Sequence, residues 1–276
     1  MLLVCVIVAA AVGFGIAVKR GSSAVDPTVA PTIAPAVVPT STAVPTWNPS
    51  GRYKMIFADE FNGGALNSAN WVPGWFGSGI TSPVQSNDYA ANNSANVSVS
   101  DGALNLRLTK QPIQVDGKTY PYTGALVSSN GKFSFAYGSI EFRAYVPADA
   151  QGNIADWPAL WTDGQNWPVD GENDILEAID GDATYHFHSG PADSDGLPNN
   201  GGNVTPKIGG WHTFGANWQP GKVQYYYDSK LVGTITTGVT GAPQYIVMGI
   251  GIGPGSRPAA GASDLRVDWV RVWKDR

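Results

Sequence analysis

The sequence predicts an all-β domain folded as a two-sheet sandwich, and three observations predict it. Period-two alternation of apolar and polar residues recurs along the chain, while no window carries the i, i+3, i+4, i+7 spacing of an amphipathic helix. The short apolar runs are separated by Gly, Asn and Pro, which turn a chain between strands. No segment repeats with the period of a propeller or solenoid, so two packed sheets are the remaining way to bury the apolar faces.

Taken in chain order, the first element is not part of that sandwich. Residues 1–18, MLLVCVIVAAAVGFGIAV, are uncharged and apolar and run into Lys19 and Arg20. That length is at the short end of what spans a bilayer, and nothing globular flanks it, so 1–20 reads as a transmembrane or signal-anchor segment. The basic pair taken alone would leave the following residues in the cytoplasm by the positive-inside rule. Residues 21–46, GSSAVDPTVAPTIAPAVVPTSTAVPT, argue the other way. Proline recurring among Val, Ala and Thr favours extended polyproline II, a tether that reaches roughly 80 Å at ~3.1 Å per residue. Such a tether suits a domain working away from a membrane surface, so the expected location is extracellular, membrane-anchored or secreted.

The domain itself is expected over 47–276. In NVSVSDGALNLRL, Val97 and Val99 alternate, Asp101-Gly102 supplies a turn, and Leu104, Leu106 and Leu108 alternate back, which reads as a hairpin. In IEFRAYV, Ile140, Phe142, Ala144 and Val146 face one way and Glu141, Arg143 and Tyr145 the other. DILEAI is a further strand, VQYYYDSKLVGTI is a second hairpin turning near Asp228 to Lys230, and LRVDWVRVW is the closing strand.

Composition narrows the partners. Hydrophobic residues make up 43% of the chain and charged ones 14%, which indicates a packed domain with a sizeable core. The net charge is −5 and the seventeen basic residues form no run that would track a phosphate backbone, so nucleic acid is excluded as a partner. The single cysteine, Cys5, lies in the apolar leader, leaving the domain without a disulfide, a cysteine-type zinc site or a thiol nucleophile. The domain reads as a monomer.

The chemistry concentrates in DGENDILEAID, which puts five acidic side chains between Asp170 and Asp180. On a regular strand Glu172 and Asp174 share a face but Glu177 points away. One bulged residue, Ile175 or Leu176, would bring all three carboxyls to one face, and bulges re-aim side chains beside active sites. Like charges held together repel, so at least one carboxyl is expected to keep its proton at neutral pH while another stays ionised. Glycosidic cleavage needs that asymmetry: one group protonates the departing oxygen, and the other attacks the anomeric carbon or activates water. On spacing alone, a solvated acidic strand or a calcium site accounts for the cluster equally well.

The surroundings favour a carbohydrate cleft. Trp157, Trp161 and Trp167 fall within eleven residues upstream, and His186 and His188 share a strand face downstream. Aromatic rings stack on sugar faces and imidazoles bond hydroxyls, so these five are the candidate substrate-binding residues. No metal ligand set is assigned; the histidine pair has no further histidine near it in sequence.

At these residues the chain resembles glycoside hydrolase family 16, whose Glu-x-Asp-x-x-Glu strand is matched by ENDILE. The resemblance extends over nearly all of 47–276, through FADEFNGGALNSANW, YGSIEFRAYVP, WPALW, GWHTFGANWQPGKVQYYYD and LRVDWVRVW. It implies a β-jelly-roll of the concanavalin A-like type with a saccharide cleft across its concave sheet, and a retaining, endo-acting hydrolase of β-linked polysaccharide. By position in the motif Glu172 is the expected nucleophile, Asp174 the assisting residue and Glu177 the acid/base. The six-residue form of the motif is similar to that of the laminarinase-like branch, so a β-1,3- or mixed-linkage glucan is the expected substrate. No cofactor is required for that reaction, although a structural calcium is compatible with it. A carbohydrate-binding or wall-associated module without turnover, and a transglycosylase, remain alternatives on the same fold. Two departures stand out: Asn173 replaces a branched aliphatic that should point into the core, and Ser139 replaces a basic residue, which would remove one sugar contact.

Overall fold

The computed structural model describes residues 44–75, 79–179, 182–191, 200–204 and 207–276; the expected membrane segment and the linker up to residue 43 lie outside the described residues. Among the described residues no helix is long and apolar enough to cross a bilayer. What they form is a sandwich of two large sheets.

One sheet runs, in spatial order, Gly201–Asn203, Asp182–His188, Glu172–Ile179, Trp157–Gly164, Gln244–Gly251, Tyr122–Ser128, Ala90–Asn93 and Ile80–Thr81. All its neighbours pair antiparallel except Ala90–Asn93 with Tyr122–Ser128, which is parallel. The other runs Lys230–Ile235, Lys222–Tyr227, Gly210–Gln219, Gly138–Val146, Asp264–Asp275, Ala103–Arg107 and Val97–Ser100, with Tyr53–Asp59 added beside the long closing strand.

The alternation in the sequence decides which residues meet between the sheets. Phe142, Leu104 and Val270 from one sheet bury against a core that includes Leu160, Phe187 and Met248 from the other, all without exposed surface. Each such side chain contributes about 1.5–3 kcal/mol on removal from water. The expected faces of IEFRAYV hold: Ile140, Phe142, Ala144 and Val146 lie in the core, and Glu141, Arg143 and Tyr145 face away from it.

Both expected hairpins form, and the turn residues explain why. Asp101 and Gly102 both take positive φ (54° and 71°), as do Asp228 and Ser229 (45° and 66°). Two consecutive left-handed residues twist a two-residue turn in the sense that matches the strands on either side.

Packing begins slightly before residue 47. The Thr46 amide donates to Glu141 Oε2 at 3.0 Å, its hydroxyl donates to Oε1 of the same carboxyl, and Trp47 stacks on Tyr226 with centroids 4.3 Å apart. This segment covers the outward face of Gly138–Val146, which is why Glu141 is buried although it points away from the core.

Candidate active site

The site lies on the outer face of the sheet that carries Glu172–Ile179, and a backbone irregularity builds it. Across to Trp157–Gly164, Leu160 pairs with Leu176 and the next residue, Trp161, pairs with Asp174. Ile175 is therefore the spare residue of a bulge. The same shift appears on the other side, where Asp174 pairs with His186 and Glu177 with Thr184. Ile175 and Leu176 both turn into the core. The reversal puts Glu177 on the same face as Glu172 and Asp174, and all three line a cleft with about 540 Å³ of empty volume.

Asn173, between the first two carboxylates, points into the core as its position dictates, and its Oδ1 is hydrogen-bonded there while its buried Nδ2 has no hydrogen-bond partner. The Tyr225 hydroxyl donates to Asn173 Oδ1 at 2.7 Å and also lies 2.9 Å from the His186 carbonyl. The bond to Oδ1 offsets part of the cost of burying this amide.

Each carboxyl has a distinct environment. Glu177 accepts a hydrogen bond from Trp157 Nε1 at 3.2 Å on Oε1, and its Oε2 lies 3.6 Å from His186 Nδ1. Asp174 is buried and hydrogen-bonds with Glu172. Burial first, and then the neighbouring charges of Glu177 and Asp163, push the Asp174 carboxyl well up, with the bond to Glu172 pulling against them. Burial and then Asp174 push Glu172 well up as well, while His188 pulls it down. Three carboxyls in one poorly solvated cleft cannot all ionise, so at least one keeps its proton.

The candidate binding residues divide. Trp157 and Trp161 line the cleft, both nearly buried; Trp161 packs with Trp75 (centroids 5.2 Å) and the Tyr245 side chain as part of the cleft floor. His186 and His188 share the cleft face of Asp182–His188, opposite Asp174 and Glu172 respectively. Trp167 does not line the cleft. It is 44% exposed in the turn that follows Trp157–Gly164, because the strand ends at Gly164 and the face alternation that aligns Trp157 with Trp161 ends with it. Ser139 is likewise away from the cleft, fully buried on the opposite sheet beside Asn217 and Trp273, so the expected loss of a sugar contact there does not occur.

Two acidic residues at the site were not singled out from the sequence. Asp163 stands opposite Glu172, accepts the Tyr245 hydroxyl at 2.9 Å, and is pushed up to about 6 chiefly by burial. Its signal was present: on a strand, Trp157, Ala159, Trp161 and Asp163 share a face. Asp88 lines the cleft from a loop, accepts the Ala90 and Ile252 amides at 2.8 and 3.1 Å, and is pushed up to about 6 by burial. No pattern in the sequence marks it, because a long-range contact with Gln244–Gly251 brings it there.

With this geometry in view, comparison with known proteins is informative. A family model described as "Glycosyl hydrolases family 16" matches residues 85–271. The chain is 26% identical over 286 residues to a glucan endo-1,3-beta-glucosidase A1 of Niallia circulans, an alignment covering 86% of this chain and 40% of that protein. It is 30% identical over 248 residues to a keratan-sulfate endo-1,4-beta-galactosidase of Sphingobacterium multivorum, covering 80% and 55%. The chain thus spans about half the length of these curated relatives. Its fold is similar to that of a laminarinase catalytic domain from Thermotoga maritima, with a TM-score of 0.67 at 24% identity over 82% of this chain and 99% of that one.

Proposed function

The chain belongs to glycosyl hydrolases family 16, and from that premise we propose that it is a retaining, endo-acting hydrolase of β-linked polysaccharide, with β-1,3- or mixed-linkage glucan as substrate. The observation that carries the reading is the bulge at Ile175, which turns Glu172, Asp174 and Glu177 into one cleft. The Niallia relative, by its name a 1,3-β-glucanase, supports the choice of glucan.

The proposed reaction uses the three carboxyls in sequence. Glu177, held by Trp157, gives its proton to the glycosidic oxygen as that bond breaks, and Glu172 attacks the anomeric carbon to form a covalent glycosyl-enzyme. Water then enters, Glu177 takes its proton, and attack on the same carbon releases Glu172 with net retention. Asp174 keeps its own proton and donates a hydrogen bond through it to Glu172, so that Glu172 stays ionised as the nucleophile and its negative charge is stabilised again when it departs. Trp157 and Trp161 would offer aromatic faces to the sugar rings, and His186 and His188 polar edges. The reaction needs no cofactor.

The apolar run of residues 1–18 and the proline-rich tether support an exported domain, membrane-anchored or secreted, acting as a monomer on extracellular polysaccharide.

The test is incubation of the purified chain with laminarin, lichenan and β-galactans, with product sizing and anomeric configuration by NMR. Internal cleavage of a β-glucan with the β-anomer appearing first is expected, and Glu172→Gln and Glu177→Gln should each lower kcat by about 10²- to 10⁴-fold. Polysaccharide that is bound but never shortened would support the binding-module alternative, and products longer than the substrate the transglycosylase. Turnover at the unmodified rate in either variant would remove the assignment of roles.

A further inference from the structure

The two histidines and Asp174 form a group that hydrolysis does not fully use. One carboxylate oxygen of Asp174 and one ring nitrogen from each of His186 and His188 lie within 4.8 Å of one another. His188 Nε2 is 3.2 Å from Asp174 Oδ2, yet Oδ2 has no hydrogen bond and no solvent contact, so the two atoms are close without being aimed at each other. Asp174 itself is 3% exposed. A buried carboxylate oxygen left without a donor is costly, and a cation between it and the imidazole would satisfy it.

We propose that Asp174, His186 and His188 form a binding site for a divalent transition metal of the zinc type, and that its occupation shuts the cleft down. Two imidazoles and one carboxylate are the donor set of zinc and its neighbours; magnesium and calcium take oxygen ligands instead. In a tetrahedral site with bonds of about 2.0–2.1 Å, neighbouring donors stand about 3.3 Å apart. The His188–Asp174 pair already meets that spacing, and the His186 nitrogen, within 4.8 Å of both, is the donor that would have to move in. The His186 ring lies over Gly201, its cross-strand partner, where an added Cβ would come within 1.9 Å of His186 Cδ2, so the room the ring occupies exists because residue 201 is glycine. The fourth position faces the cleft and takes water.

Inhibition follows from position and rests on the hydrolase reading above; binding does not. A dication at Asp174 stands on the cleft face between the positions of Glu172 and Glu177, where the sugar has to be held. It also engages His186, whose Nδ1 is 3.6 Å from Glu177 Oε2, and so takes from the acid/base a neighbour it has in the free cleft.

Calorimetric titration of the whole chain with Zn2+ at neutral pH, after stripping with EDTA and its removal, tests the site directly. Saturable binding of a single zinc per chain is expected, weakened about tenfold or more in His186→Gln and in His188→Gln and unchanged in His212→Gln, which alters the remaining histidine of the sequence. Mg2+ and Ca2+ should neither bind there nor displace zinc. Co2+ bound to the unmodified chain gives a readout independent of the variants' folding: visible bands of a low-coordinate nitrogen-ligated ion are expected. The spectrum of the hydrated ion would overturn the proposal, as would zinc binding that both histidine variants retain in full. In the activity arm, β-glucan hydrolysis should fall in step with occupancy and return with EDTA; activity unaffected at saturation would overturn the inhibitory role. A chain that hydrolyses none of the glycans leaves the calorimetric and Co2+ results to decide the site by themselves.

Discussion

The Tyr225 hydroxyl crosses the sandwich to lie 2.7 Å from Asn173 Oδ1, joining the strand Lys222–Tyr227 of one sheet to the carboxylate-bearing strand of the other. The same oxygen is 2.9 Å from the His186 carbonyl, so one side chain from behind fixes two neighbouring strands of the cleft. Tyr225→Phe keeps the ring, which stacks on Tyr185 at 4.4 Å, and deletes only the hydroxyl. It leaves the buried Asn173 Oδ1 without its donor, which costs about 1–3 kcal/mol. Urea denaturation followed by tryptophan fluorescence is expected to show that loss, and polysaccharide hydrolysis to slow as Glu172 and Asp174 lose their fixed backbone.

Trp157 and Trp167 are expected to behave oppositely, although the sequence offers them alike. Trp157→Phe removes the donor to Glu177 Oε1. A hydrogen bond is worth about 0.5–1.5 kcal/mol net, so a kcat lower by about 2- to 10-fold is expected. Trp167→Ala, outside the cleft, is expected to change kcat/KM by less than about twofold, within what surface substitutions do. Steady-state kinetics on the same glucan compares them.

Gly251 borders the cleft where no side chain fits. A Cβ there would come within 2.2 Å of Asp88 Oδ2, whereas one at Gly261 meets nothing within 4 Å. Gly251→Ala is expected to displace Asp88, raise KM and cost about 1–3 kcal/mol, the range for overpacking. Gly261→Ala is expected to leave the thermal midpoint and KM where they are. Calorimetry and initial rates on both variants decide.

Asp163 makes stability depend on pH in a stated direction. Burial pushes its carboxyl from 3.8 up to about 6, so in that window the folded protein binds more protons than the unfolded chain. The contribution is fully present below about pH 4 and lost as pH rises through about 6, by at most about 3 kcal/mol. Asp163→Asn does not titrate and can still accept the Tyr245 hydroxyl. Urea midpoints from about pH 4 to 7 are expected to fall less steeply with pH in the variant than in the unmodified chain. Equal slopes would show that Asp163 is ionised throughout the window.

Much of this arrangement is legible along the chain, because its causes are local. Alternation of apolar residues with a period of two names the core face of Gly138–Val146, and two left-handed residues at Asp101-Gly102 and Asp228-Ser229 announce the hairpins. The spacing of Glu172, Asp174 and Glu177 even requires the bulge, since three carboxyls at those positions reach one face only if a residue is spare. By itself, then, the sequence determined the strands, their faces and the carboxylate trio. Tertiary structure alone decided that Ile175 is the spare residue, that Tyr225 meets Asn173, that Asp88 joins the cleft and Asp163 stands opposite Glu172, and that Trp167 and Ser139 lie away from it. The physical reason is that side-chain direction follows from neighbouring bonds in the backbone, whereas strand partners and the solvent left around a carboxyl depend on residues tens to hundreds of positions away.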